Sequence, residues 1–144
     1  MLTDTERAYL AGFFEADGCV NIGVRQSKSH ATPSHYLQVI IAQSNKPFLQ
    51  RWRDKLDMGS IHKSSPTQLS TKDHWRWHLS DRQAEHVLNL ILPYLDIKQD
   101  QAEIAIRFME TKGTGGRRRT PQHVLDLRDQ YKQELHDAKG ELNT

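Results

Sequence analysis

Residues 74–79 read His-Trp-Arg-Trp-His-Leu, and this strict alternation constrains the fold more than any other segment. Successive side chains on a strand point to opposite faces, so Trp75, Trp77 and Leu79 share one face and His74, Arg76 and His78 the other. Two more stretches keep the same period. Val20, Ile22 and Val24 alternate with Asn21, Gly23, Arg25 and Ser27, and Leu37, Val39 and Ile41 alternate with Tyr36, Gln38, Ile40 and Ala42. Ser60-Ile61-His62-Lys63 supplies a shorter fourth strand. The prediction is a four-stranded antiparallel sheet with one apolar face, which other elements must cover.

Helices are available to cover it. Thr3 and Glu6 have capping-box spacing, and Ala8, Leu10, Ala11, Phe13 and Phe14 run without a breaker to Gly18, predicting a helix over about Thr5 to Asp17. A second is expected from about Pro47 to Asp57: proline suits the first turn, Phe48, Leu49, Trp52 and Leu56 recur at helical spacing, and Gly59 ends it. Three more follow at about Asp81 to Leu92, Lys98 to Thr111 and Pro121 to Ala138. The fold class is therefore α+β, with the helices on one face of the antiparallel sheet and extra helices at the C-terminus. With 144 residues we expect one core. Its parts are a main unit over 1–112, a basic glycine-rich loop over 113–120, and a helical tail over 121–144 belonging to the same domain.

The opposite sheet face is polar. It displays Asn21, Arg25, Ser27, Tyr36, Gln38, Ser60, His62, His74, Arg76 and His78, with Ile40 among them and Lys28 just beyond the first hairpin strand. No Asp or Glu occurs in that set, although acids fill 18 of the 144 positions. Between Asn21 and Ser80, nine Lys or Arg face three acids, so the middle of a chain of net charge +2 is locally basic; five of the eight histidines also lie there. Such a face suits an anionic partner. Its donors and acceptors are of the kind that read base edges and phosphates, and strands of seven or eight residues span roughly 25 Å, about seven base pairs. Any half-solvated sheet also has a polar outer face, so the pattern alone leaves both readings open. Arg117 and Arg118, beside flexible glycines, could grip phosphates or belong to a solvated loop.

Several classes are excluded. A single cysteine, Cys19, allows no internal disulfide and no CxxC zinc pair, which fits a reducing compartment. No apolar run approaches the roughly 20 residues of a membrane span, and no apolar leader core follows Met1. We therefore expect an intracellular protein, in an organelle or in prokaryotic cytoplasm, with no membrane partner and no small-molecule cofactor. No GxxxxGK[ST] loop or Ser/His/Asp arrangement is present.

The segment Leu10-Ala11-Gly12-Phe13-Phe14-Glu15-Ala16-Asp17-Gly18 carries the most information. It resembles the LAGLIDADG signature of homing endonucleases and related maturases, matching at Leu10, Ala11, Gly12, Ala16, Asp17 and Gly18, with conservative changes at Phe13, Phe14 and Glu15. The αββαββα order over about Thr3 to Glu110 also resembles that family's fold unit, whose sheet is saddle-like. Independently of the resemblance, Ala8, Gly12 and Ala16 lie four apart on one helix face and would let a second helix approach closely. A packed core position can also want small residues.

A single motif resembles the homodimeric branch of the family, which implies that two such helices cross at a subunit interface formed by Ala8, Gly12 and Ala16. Asp17, at the helix end, would then meet its partner copy. With backbone oxygens such as that of Ala16, the two carboxylates would form a hard, oxygen-only site for Mg²⁺, which Ca²⁺ or Mn²⁺ could also occupy. The resemblance further implies a catalytic setting of Asp17 with Gln43, Lys98 and Lys46, the last by a loose match. Glu15 is expected to be structural. The implied activity is a metal-dependent double-strand break in a long, pseudo-palindromic DNA duplex, cut across the minor groove to leave short 3′ overhangs. The alternatives are an RNA maturase or a non-cleaving DNA-binding regulator of the same fold, or a protein-interaction domain in which the motif is coincidental.

Overall fold

The chain's first helix runs straight into a strand, and that junction organises everything around the motif. The computed structural model describes residues 1–26, 28, 32–64, 73–113 and 119–142. Helix α1 spans Asp4–Asp17 and opens on the capping box: the Thr3 backbone N–H donates to Glu6 Oε1 at 3.0 Å and the Glu6 N–H to Thr3 Oγ1 at 3.1 Å. Strand β1, Gly18–Arg25, begins without an intervening loop, and β2 covers Ser34–Gln43. Helix α2, Lys46–Leu56, is capped by the Asn45 side chain, which accepts from Phe48 N–H at 3.1 Å, with Pro47 in its first turn. Strands β3, Ser60–Ser64, and β4, His74–Ser80, precede α3, Arg82–Ile91. A short 3-10 turn, Leu92–Tyr94, leads to α4, Gln99–Glu110, and the chain continues into α5, Gln122–Leu142.

All strand pairs are antiparallel in the order β1-β2-β4-β3. The register lines up Val20, Val39 and Leu79 in one row and Ile41, Trp77 and Ile61 in the next. That face meets Leu10 and Phe14 of α1, Leu49 of α2, Leu88 and Ile91 of α3, and Phe108 of α4, all fully buried. The period-2 pattern therefore identified the packing face correctly for every central residue. Helix α5 completes the layer by burying Leu125 and Leu135 and packing on α4 and β1. Among the described residues, no helix is long and apolar enough to cross a membrane.

Three expectations need correction. Val24, expected in the core, is 46% exposed: it lies at the end of β1, beyond the helices, opposite His35. His35, counted with the histidines awaiting an anionic partner, is only 1% exposed. It has the parity of Leu37 and Val39, so it turns inward, where Asp129 of α5 meets its Nε2 at 2.7 Å. Finally, α2 is ended not by Gly59 but by Asp57, whose φ of 51° is left-handed; Gly59, at φ 86°, turns the chain into β3.

Candidate functional site

Asp17 is the last residue of α1 and its carboxylate is exposed. The final carbonyls of a helix have no partner within it, so this end presents oxygen atoms and partial negative charge together. Gln43, the last residue of β2, donates from Nε2 to Asp17 Oδ2 at 3.2 Å. Its Oε1 is held in turn by the Ser44 N–H at 3.0 Å and the Ser44 hydroxyl at 3.3 Å, which fixes which way the amide faces. The sequence therefore named two residues, 26 positions apart, that the sheet brings into contact.

Lys98 stands just before α4, with its ammonium turned back under the end of α1. It donates to Phe14 O at 3.2 Å and to Gly18 O at 2.5 Å, clamping both sides of the helix-strand junction. Burial pushes its pKa down from the ordinary lysine range, opposed by Cys19, Glu15 and Asp17 nearby. Glu15 holds the clamp in place. Its carboxylate accepts from the Asp96 N–H and, at 3.1 Å, from the Lys98 N–H, tying α1 to the turn before α4. Gly18 is required by close approach: a Cβ there would lie 2.2 Å from the Phe14 ring and 2.7 Å from the Phe14 carbonyl oxygen. Lys46 is placed differently. Its ammonium lies over the Trp75 ring, 4.2 Å from the centroid, and makes no hydrogen bond to Asp17.

The outer face of α1 is bare. Ala8, Gly12 and Ala16 are all exposed, and a Cβ built on Gly12 meets nothing within 4 Å. Packing within one chain therefore does not explain why this stripe is small. Beside it, Tyr9 is 54% exposed and stacks on Trp52, with Phe13 and Phe48 completing an aromatic group that joins α1 to α2.

The polar sheet face assembles largely as expected. Register places Asn21, Gln38 and Ser80 side by side, Ile40 between Cys19 and His78, and Arg76 between Ala42 and His62. Arg25 lies over the Tyr36 ring at 4.5 Å, His74 opens β4 opposite Ser64, and the Ser60 hydroxyl lies 2.9 Å from His62 Nε2. Lys28 is exposed in the turn after β1. Ser27, Arg117 and Arg118 lie outside the described residues.

A model described as the LAGLIDADG endonuclease matches residues 10–109, from the motif to the end of α4. The chain belongs to the LAGLIDADG endonuclease family. Solved structures agree in fold. The homing endonuclease I-CvuI, crystallised with the I-CreI target in the presence of Mg, aligns at a TM-score of 0.79 and 18% identity, over 94% of this chain and 83% of that one. The homing endonuclease I-TnaI aligns at 0.66 and 16% identity, over 99% and 97% of the two chains. The meganuclease I-SmaMI, solved bound to uncleavable DNA, aligns at 0.63 and 17% identity, over 93% of this chain and 43% of that one. No curated protein matches the chain in sequence.

Outside the matched LAGLIDADG unit, on α5, the sequence reading missed Lys139. Near the end of α5, its ammonium donates to Asn21 Oδ1 at 2.5 Å and approaches Cys19 Sγ at 3.7 Å. A residue 118 positions from its partner leaves no local periodic signal, and only the docking of α5 along β1 brings it there.

Proposed function

We propose that this site-specific DNA endonuclease works as a homodimer paired through α1, with the two Asp17 carboxylates and adjacent helix-end carbonyls, including that of Ala16, holding divalent metal over a double-stranded target. The observation that carries the reading is the bare stripe of Ala8, Gly12 and Ala16, open at Gly12 and ending on an exposed carboxylate that Gln43 orients. Among the described residues no three His, Cys, Asp or Glu side chains group as a metal site, so one chain offers a single carboxylate with backbone oxygens. A two-fold axis beside Gly12 would double that set into hard oxygen ligands suited to Mg²⁺, with Ca²⁺ or Mn²⁺ able to take the same donors. Bound there, the ion supplies Lewis acidity at the scissile phosphate and makes water a stronger nucleophile.

The chain's own residues do the rest. Gln43 keeps the Asp17 carboxylate in one orientation, and Lys98 places positive charge beneath the helix end without using up Asp17. The polar sheet face follows the major groove, where Asn21, Arg25, Tyr36, Gln38, His74 and Arg76 offer donors and acceptors to bases and phosphates. The structures of I-CvuI with Ca and of I-SmaMI with DNA concern those proteins, yet their shared fold supports placing a duplex against this face. Lys46, over Trp75, would contribute at the border of the site by contact with the backbone of the duplex.

A pool of randomised duplexes incubated with the protein, followed by sequencing of the new ends, tests the proposal. Mg²⁺ should produce double-strand breaks at a restricted set of near-palindromic sites with short 3′ overhangs, and EDTA should abolish them. Cutting that persists in EDTA would defeat the metal assignment.

A further inference from the structure

A row of two hydrogen bonds joined by one ring contact crosses three strands of the polar face. Gln38 of β2 reaches diagonally to His78 of β4, its Nε2 lying 3.1 Å from His78 Nδ1. The His78 ring meets the ring of His62 on β3 edge-on at 5.4 Å between centroids, and Ser60 closes the row on His62 Nε2. The tautomer of His78 follows from its partner. An amide N–H donating to Nδ1 requires Nδ1 to be the acceptor, which leaves the ring's proton on Nε2.

We propose that Gln38 and His78 form one base-reading unit, in which Gln38 is a positioning residue that holds His78 as an Nε2–H donor for a base-edge acceptor such as a purine N7 or guanine O6. This deepens the reading of the sheet face as the DNA contact surface and rests on it. A donor fixed in this way accepts bases that present an acceptor at that point of the groove and rejects those presenting the N4 or N6 amino group. A histidine free to change tautomer would offer either, and would discriminate poorly.

The surroundings keep the ring in the state where its tautomer matters. Burial, with the nearby His62 and Arg76, holds the His78 imidazole below the ordinary histidine range, so it is neutral at physiological pH. Among the described residues no carboxylate opposes this on the polar face: the groups around the ring are His62 on β3, Arg76 and His74 on β4, and neutral Gln38 on β2. Below that range the imidazolium carries protons on both nitrogens and donates from Nε2 whatever Gln38 does.

That asymmetry supplies the test. The protein is used to select from randomised duplexes in Ca²⁺ buffer at pH 8 and at a pH one unit below the His78 pKa, located in wild type and in Gln38→Met by NMR titration of the ring. Wild type should select an acceptor-bearing base at one position in each half-site at both pH values, and His78→Ala should lose roughly tenfold of that preference at that position alone. Gln38→Met should lose it at the same position at pH 8 and regain it at the lower pH, where the ring is protonated on both nitrogens. Loss of preference at a different position in Gln38→Met, or the same loss at both pH values, would overturn the proposal. If Arg76→Ala alters selection while Gln38→Met and His78→Ala do not, only this inference fails. If no duplex is selected by wild type, the sheet-face reading fails with it.

Discussion

At Asp17 the chemistry and the fold can be separated by one atom. Replacing its carboxylate with an amide in Asp17→Asn keeps the size and a possible contact with Gln43, but removes the charge that would hold a divalent ion. Duplex binding in Ca²⁺ buffer, measured by gel shift, should stay within about threefold of wild type, while cutting in Mg²⁺ should fall below detection, as expected when an ion's ligand is lost. An Asp17→Asn variant that still cuts would remove the metal from Asp17. Lys98 makes a different prediction because its ammonium touches carbonyls of the helix end. Lys98→Met loses those hydrogen bonds but also relieves the burial of a charge, so unfolding in urea should shift by no more than about 1 kcal/mol. The cutting rate should fall about a hundredfold, the size of effect seen when one preorganised charge or donor is removed from a transition state. Asp17 and Gln43 were readable from the sequence through the resemblance of residues 10–18 to the LAGLIDADG signature, not through periodicity, which marks only the helix and strand that they end. The structural role of Glu15 was also anticipated, but its partners, the backbone of Asp96 and Lys98, were not, since only tertiary packing brings a turn 81 residues away to α1.

The glycine on the outer face of α1 and the one just past its end have opposite requirements. Gly12 faces open space, whereas Gly18 is pressed against Phe14. Gly12→Leu should therefore leave the isolated chain folded, with stability within about 1 kcal/mol of wild type, because leucine gains helix propensity and meets no neighbour. Sedimentation should nevertheless show a monomer, and cutting should be lost with the pairing. A Gly12→Leu protein that remains a fully active dimer would refute α1 as the interface. Gly18→Ala should do the reverse, losing about 1–3 kcal/mol of stability by overpacking at the helix-strand junction. Element boundaries were legible to within a few residues because capping signals and periodicity are local: Thr3 with Glu6, Pro47 in a first turn, and the Trp75-Trp77-Leu79 alternation each encode their own geometry. Where the reading slipped, at Val24 and at the end of α2, the deciding factor was the reach of the helix layer or a left-handed Asp57, neither of which has a periodic signature.

Across the whole molecule, α5 binds the far end of the sheet to the layer that covers it. The strand order β1-β2-β4-β3 and the docking of α5 were not legible, because hydrophobic periodicity says which face is buried but not which neighbour buries it. His35 shows the consequence. Among the described residues it is buried with Nδ1 unpartnered, and its side-chain hydrogen-bond partner is Asp129 of α5. Asp129→Ala would leave the whole imidazole buried without a partner, and the penalty for an unmet buried polar group is about 1–3 kcal/mol. His35→Leu combined with Asp129→Ala replaces both members with apolar groups on a face already lined by Leu37 and Val39, where burial is favourable. Urea unfolding should therefore rank the double variant above the Asp129→Ala single, by most of the energy the single loses. If instead the double is as unstable as the single, the Asp129 contact does not anchor α5, and the buried histidine is satisfied by some other group on the helix layer.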